Sequence, residues 1–442
     1  VEVLMEILPF LMFFGLVVFV LTGFPVAFSI GAMALLFGLP TLGLSWLPMW
    51  VLNVWNIMSN FLLVAVPLFV FMGVMLERSG LAEELLETMG ILLGRVPGSM
   101  AIAVTAMGAI LAASTGIIGA TVVTMTVLAL PTMLRRGYSP QLATGTICAA
   151  GTLGQIIPPS IVLLLLASIA NDPSVSVGKL FFAAFLPGWL LALLYMVYIF
   201  FYALRHPEKA PAIPLSERQI PPLRLLLRVL RSLFPPFFLI VAVLGSIFLG
   251  IASPTEAAGV GAFAATLLAA LNRRLTWTVL RDVMLATVRF TSMVFIILVG
   301  AQAFRTVFWN LKGETVLREF FLGLQWEPWA ILAVVMVLLF VLGFFLDFIE
   351  ITFIHFPILI PIVKALGIDP LWFTVLVAIN LQTSFLTPPF GFALFYLKGA
   401  APPEVKLQHV YRGIIPFVII QLIGLAIVIL FPPIALWLPK FL

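Results

Sequence analysis

The fold class this sequence predicts is an all-α polytopic membrane protein with two inverted-topology repeats, each holding a reentrant helical hairpin and a broken helix. Three observations lead there: a composition too apolar for a water-facing surface, a Pro and Gly pattern that recurs at one fixed offset, and apolar segments interrupted at matching places.

Of 442 residues, 63% are hydrophobic and 9% charged, against about 25% charged in a soluble domain. A mean hydropathy of +1.23 agrees. Hiding that much apolar surface would need a core larger than a chain of this length can build, so the lipid bilayer is the expected solvent. Cys148 is the single cysteine, which excludes an internal disulfide and a cysteine-based metal cage. His206, His355 and His409 form no metal-ligand spacing. The net charge of +5 lies in short loops, where it orients helices, and implies no nucleic-acid partner.

A spanning helix needs about 20 apolar residues. Stretches 3–22, 24–45, 47–76, 178–204, 233–252, 254–272, 283–310 and 412–436 qualify. The first opens Val1-Glu2-Val3-Leu4-Met5-Glu6, with acids where a secretory signal would be basic, so a retained helix is expected. Residues 97–170 and 328–398 are apolar throughout, yet Gly, Pro and polar residues interrupt each twice. An amphipathic stretch precedes each, at 79–95 and 312–324, with charges on one face as in an interfacial helix.

A Pro-rich basic linker, residues 205–231, separates repeats at 1–204 and 232–442. Pro131, Gly137, Pro140, Pro158 and Pro159 recur as Pro361, Gly367, Pro370, Pro388 and Pro389, each pair 230 positions apart. Gly31-Ala32 and Gly261-Ala262 share that offset, as do Thr144 and Thr374. With 32 Pro and 32 Gly in the chain, five such identities at one ungapped offset mark a duplication. The positive-inside rule puts the linker in the cytoplasm. Counting back from it, each half makes five crossings plus one hairpin. The odd number inverts the second half and places both termini in the periplasm. Arg135, Arg136, Arg273, Arg274, Arg281, Lys398, Lys406 and Arg412 then fall inside.

In hydrocarbon, unwound backbone survives inside protein or beside a water-filled cavity. The first hairpin turns at Ala113-Ser114-Thr115-Gly116, and the first helix breaks across Gly151-Thr152-Leu153-Gly154-Gln155-Ile156-Ile157-Pro158-Pro159-Ser160. The second half repeats the hairpin turn at 343–350 and the break from Asn380 through Gln382, Thr383, Ser384 and Thr387 to Pro388-Pro389. A double Pro frees carbonyls on the preceding turn, and these with Ser and Thr hydroxyls are hard oxygen ligands for Na⁺. The next half-helix points its N-terminal amides at the same cavity, where an anion is favoured. Two copies predict two cation sites. An isolated Pro would be read as a kink; the duplicated set favours a site.

Asp347 lies at the expected second hairpin tip, and intramembrane carboxylates are costly and usually functional. The alternative for Asp347 and Glu350 is a helix end among headgroups. Glu256, in Ser253-Pro254-Thr255-Glu256, reads as a helix N-terminal acid. His355 reads as a packed histidine.

At these positions the chain resembles the large membrane subunit of tripartite ATP-independent periplasmic (TRAP) transporters, of the DctM type. The carrying motifs are Glu77-Arg78-Ser79-Gly80, Ala113-Ser114-Thr115-Gly116, Gly151 to Ser160, Ser253-Pro254-Thr255-Glu256-Ala257-Ala258, Leu346-Asp347 and Thr387-Pro388-Pro389. The first tip reads Ser-Thr-Gly where the family pattern has Ser-Ser-Gly, which keeps the hydroxyl. The resemblance spans essentially the whole chain. It implies Na⁺-driven, ATP-independent uptake of a small organic anion (a carboxylate or sulfonate) across a bacterial inner membrane. It also implies a small membrane subunit and a periplasmic substrate-binding protein as partners. The implied mechanism is an elevator in which residues 97–170 and 328–398 move against a scaffold. Carried over residue by residue, Ser114, Thr115, Gly116, Gly151, Thr152 and Gly154 form one Na⁺ region. Asp347, Thr383, Ser384, Thr387 and Pro388 form the other. Ser114, Pro158, Pro159, Ser160 and Pro389 border the substrate. A stand-alone dicarboxylate or citrate symporter shares this physics and is the alternative; an embedded enzyme or a channel is more distant, since an enzyme would need clustered acid–base or metal residues.

Overall fold

The computed structural model describes residues 2–115, 118–214, 221–388 and 391–442, and every regular element among them is helical. Eight of the described helices are long and apolar enough to cross a membrane, the longest being Trp277–Asn310 and Val177–Arg205.

The 230-residue period is carried by the elements themselves. Ile118–Arg135 recurs as Phe348–Ala365, and Pro140–Thr152 begins 230 positions before Pro370–Leu386. Val177–Arg205 and Leu407–Leu430 start at the same offset. Even the caps repeat. Ser139 accepts the Leu142 N–H, and Asp369, 230 positions on, accepts the Trp372 N–H. Each cap is followed by Pro at the first helical position, where no amide partner is lost.

Hydrogen bonds between the halves give the relative direction of these copies. Thr255 Oγ1 donates to Phe61 O at 3.2 Å, and Asn272 Nδ2 donates to Ser79 O at 3.5 Å. Helix Pro254–Leu271 therefore runs alongside Phe61–Arg78, start to start and end to end. The chain then turns back at once into Trp277–Asn310, which must oppose Phe61–Arg78. Those two opposed helices occupy the same place in their respective repeats. The repeats are inverted.

Three boundaries differ from the sequence reading. The stretch 47–76 is not one span: Leu47–Met58 ends at Ser59, and a new helical segment starts at Phe61. Asn60 causes the restart, because its side chain accepts the Leu62 N–H at 3.0 Å and caps the next turn. Leu47–Met58 buries none of its residues. The second difference is that helix begins at Pro222, inside the stretch read as linker. There Leu223, Leu226, Leu227 and Leu230 alternate with Arg224, Arg228 and Arg231 at helical spacing, and Arg228 pairs with Glu87 of helix Leu81–Leu92 at 2.5 Å. Third, Pro370–Leu386 continues through Asn380, Thr383 and Ser384, where unwinding was expected. In the first repeat Gly151 and Gly154 weaken the helix ahead of the prolines. Their counterparts, Leu381 and Ser384, do not.

Candidate functional site

Each broken helix is held against its neighbouring hairpin by contacts too close for a side chain. A Cβ on Gly108 would sit 2.6 Å from Ala150 Cβ, and one on Gly151 would sit 2.5 Å from Val122 Cγ2. Helix Pro140–Thr152 thus lies between the two arms of the first hairpin, Ser99–Thr115 and Ile118–Arg135. In the second repeat a Cβ on Gly343 would overlap Ser384 Oγ. The rings of Phe348 and Phe385 approach to 6.3 Å between centroids, and Asn380 Nδ2 donates to Met336 O at 2.7 Å. This pins the turn containing Asp347 to the second broken helix.

The hydroxyls at the two breaks all donate inward to backbone. Thr152 Oγ1 donates to Ala149 O at 3.0 Å and Ser160 Oγ to Gln155 O at 2.8 Å. Thr383, Ser384 and Thr387 donate to the carbonyls of Ile379, Leu381 and Thr383 at 2.9, 2.7 and 2.8 Å. A hydroxyl whose proton is committed keeps oxygen lone pairs for another donor or a cation. Gly151, Thr152, Gly154, Pro158, Pro159 and Ser160 are all buried, and Pro388 and Thr387 are half-buried. Pro158-Pro159 is a cis peptide. The Ser114 and Thr115 side chains, Gly116 and Pro389 lie outside the described residues.

Asp347 caps the turn Phe348–Glu350 by accepting the Phe348 N–H at 2.7 Å. Tyr396 belongs to Phe392–Ala400, the half-helix after the second break. A Cβ on Gly119 of the first hairpin would lie 3.1 Å from its ring. The first hairpin therefore packs against Tyr396 of the opposite repeat. The two broken helices meet as well, since Gln382 Nε2 donates to Thr152 Oγ1 at 3.3 Å.

Sequence reasoning did not single out Tyr396, Gln155 or Gln382. Gln155 is fully buried, and neither its amide nitrogen nor its carbonyl oxygen has a hydrogen-bond partner among the described residues; Gln382 Oε1 and Glu350 Oε2 are in the same position. Buried polar atoms are almost always paired; Gln155 and Gln382 sit in the two broken helices and Glu350 in the second hairpin turn. A glutamine inside an apolar run is a readable signal; Tyr396 gave none. Glu256 forms a capping box with Ser253 and is structural, as read. His355 packs 5.1 Å from the Phe13 ring, also as read.

Comparison with known proteins gives this arrangement a context. The family model described as "Tripartite ATP-independent periplasmic transporter, DctM component" matches residues 13–434. The chain is 33% identical over 385 residues to the C4-dicarboxylate TRAP transporter large permease protein DctM of Pseudomonas aeruginosa, covering 87% of each. It is 29% identical over 422 residues to the isethionate TRAP transporter permease protein DctMQ of Oleidesulfovibrio alaskensis, covering 95% of this chain and 64% of that one. Among solved structures, the YdaH transporter of Alcanivorax borkumensis, reported to have an unusual topology, shares the fold. Its TM-score is 0.62 at 15% identity, over 89% of this chain and 88% of that one.

Proposed function

The chain belongs to the DctM component family of tripartite ATP-independent periplasmic transporters and is a multi-pass transporter subunit, not an enzyme; from that premise we propose that it uses a Na⁺ gradient to take up a small organic anion. The relatives named for C4-dicarboxylate and isethionate favour a carboxylate or sulfonate as cargo. The partners are a small membrane subunit and a periplasmic substrate-binding protein. The DctMQ relative, of which this chain covers 64%, supports the first of these. The membrane is a bacterial inner membrane, with both termini in the periplasm.

The observation that carries this reading is the contact between the two broken helices, Thr152 against Gln382, with Tyr396 of the half-helix after the second break packed on the first hairpin. Hydroxyl-bearing residues close to the ends of both broken helices at that point suit a cation. One Na⁺ is assigned to Ser114, Thr115, Gly116, Gly151, Thr152 and Gly154. A second is assigned to Asp347, Thr383, Ser384, Thr387 and Pro388. The Thr152, Thr383, Ser384 and Thr387 hydroxyls point their protons at helix carbonyls and so offer lone pairs to the ion. The anion is assigned to Ser114, Pro158, Pro159, Ser160 and Pro389, beside the start of helix Ile161–Ile169, whose amides favour negative charge. Cation and anion side by side stabilise one another, which couples their movement. Residues 97–170 and 328–398 would then travel as one body against the remaining helices.

The test is uptake into proteoliposomes holding the complete transporter, with radiolabelled organic acids and an inward Na⁺ gradient. Accumulation should require Na⁺ and the binding protein. Equal uptake with K⁺ replacing Na⁺ would refute the coupling. Full activity without the binding protein would move the chain to the stand-alone symporter class.

A further inference from the structure

Away from this site, helix Trp277–Asn310 and the short helix Leu47–Met58 enclose a cavity of about 240 Å³ lined by Met49, Asn53, Gln302, Arg305, Thr306 and Trp309. Arg305 is half-buried and forms no hydrogen bond or ion-pair contact among the described residues. The acid that acts on it, Glu314, does so from beyond contact distance. A guanidinium drawn out of water without an anion carries an uncompensated desolvation cost. The neutral polar side chains around it, Asn53, Gln302 and Thr306, bring no negative charge. The Gln302 side chain is 4% exposed and borders the same cavity. Asn53 Nδ2 donates to Thr306 Oγ1 at 3.0 Å, and Thr306 in turn donates to Gln302 O at 2.7 Å, which fixes both side chains. The pocket therefore sets carboxamides, which can donate, beside a positive charge, and no carboxylate lines it.

The surroundings identify the depth. Trp50 donates to Val299 O at 3.0 Å, while Trp55 and Trp309 are 69% and 56% exposed. Tryptophans gather where hydrocarbon meets headgroups. Helix Leu47–Met58 also leaves Val51, Leu52 and Met58 uncovered, so an apolar flank adjoins the polar pocket. On the other side, Trp309 is shared with a larger cavity of about 680 Å³ holding Lys312, Glu314, Arg318 and Glu319, a polar exit toward water. A cation in a donor-lined pocket, greasy chain on one side and water on the other, is complementary to an anionic amphiphile. We propose that Arg305, with Asn53 and Gln302, binds the phosphate of an anionic phospholipid headgroup, whose acyl chains lie along Leu47–Met58. Basic pockets between membrane helices hold such headgroups on the cytoplasmic side, and Arg305 offers the same charge to the opposite leaflet. This site is independent of the transport reading.

The test uses purified full-length protein, delipidated and reconstituted in phosphatidylcholine nanodiscs, and native mass spectrometry with dioctanoyl phosphatidylglycerol, dioctanoyl phosphatidylcholine or inorganic phosphate added. Wild type should retain the phosphatidylglycerol in preference to the phosphatidylcholine. Arg305→Gln should weaken that retention about tenfold, as loss of a charge-assisted contact predicts. Asn53→Leu keeps the charge and removes a donor, and should give a smaller loss; it reports on the site even where Arg305→Gln folds poorly. Arg281→Gln, on the same helix, should bind like wild type. Equal retention of both lipids, or unchanged binding in Arg305→Gln and Asn53→Leu, overturns the proposal. Full competition by inorganic phosphate would make the ligand a free anion. Loss of lipid binding on adding the small membrane subunit would make the site a protein interface.

Discussion

Gln382 hydrogen-bonds Thr152 at 3.3 Å, and the two residues are 230 positions apart, the period of the internal repeat. Each is the other's counterpart. Counterparts related by a two-fold axis can touch only where they lie close to it, so this bond marks the centre of the molecule. Both residues are fully buried. The pair should therefore be energetically coupled. Gln382→Leu and Thr152→Val should each lower thermal stability, by about 1–3 kcal/mol where a buried partner is left unpaired. The double variant should cost less than the sum, with a coupling of about 0.5–1.5 kcal/mol in a double-mutant cycle. Strict additivity would mean the contact is incidental.

The sodium assignment makes its own demand on Asp347 and Thr387. Asp347→Ala and Thr387→Val should each raise the Na⁺ concentration for half-maximal uptake by roughly tenfold or more, the effect of about 1.4 kcal/mol of lost ion binding. Neither should unfold the protein, because Thr387 follows the last residue of its helix and Asp347 caps a single turn, a loss of about 1 kcal/mol. Wild-type sodium dependence in both variants, with correct folding, removes these residues from the ion pathway.

Much of the architecture was readable from spacing alone. Five Pro and Gly pairs at one offset located both hairpins and both broken helices, because those residues are where backbone geometry is least negotiable. What escaped depended on single side chains. The restart at Asn60 is a capping hydrogen bond inside an otherwise apolar stretch, which hydropathy smooths over. The persistence of helix through Ser384 came from two glycines in one repeat that the other lacks. Tyr396 became part of the candidate site through folding, since nothing in Phe392–Ala400 distinguishes it from an interfacial aromatic.

Close approach of backbones explains which glycines will resist substitution. A Cβ on Gly413 would overlap Gln141 O, and one on Gly145 would overlap Gly413 O, so helices Pro140–Thr152 and Leu407–Leu430 meet at their main chains. Backbone atoms cannot rotate away. Gly413→Ala should cost about 1–3 kcal/mol or force the helices apart. Gly31→Ala and Gly245→Ala, which meet nothing within 4 Å, should be close to neutral. Thermal unfolding of the three variants in one detergent gives the comparison; equal losses would contradict the packing.

The loop after the first broken helix is tied to the end of the second hairpin by Lys364 Nζ and Asp172 Oδ2, 2.8 Å apart. The bond from Lys364, reinforced by Ser174, holds the Asp172 carboxyl down at about 2, against about 3.9 for a free aspartate. A depressed carboxylate stabilises the fold above its unfolded value, and the benefit fades as pH falls through the folded one. Stability should therefore drop between about pH 4 and pH 2 in wild type, and Asp172→Asn should flatten that part of the profile. Because Lys364 is exposed, the loss at neutral pH should be about 1 kcal/mol or less. A profile identical in the variant would show that other carboxylates carry the acid sensitivity.

The inverted repeats are not packed alike, and that difference predicts the direction of movement. In the first repeat, helix Leu81–Leu92 buries Leu81, Ala82, Leu85 and Leu86. In the second, Gly313–Gly323 buries Gly313 and Phe321 alone, and an apolar cavity of about 440 Å³ separates it from the hairpin residues His355, Ile358 and Leu359. Phe13 and Phe320 also line it. Interdigitated apolar surfaces favour close packing, so this gap is the side on which the hairpin has room to move. If residues 97–170 and 328–398 travel as one body, closing the gap should accompany the opposite state of the carrier. Spin labels at Phe320 and Ile358, measured in lipid by pulsed electron resonance, should show two distance populations whose ratio shifts with Na⁺ and anion. A single distance, unmoved by either ligand in a transport-competent protein, would locate the moving boundary elsewhere.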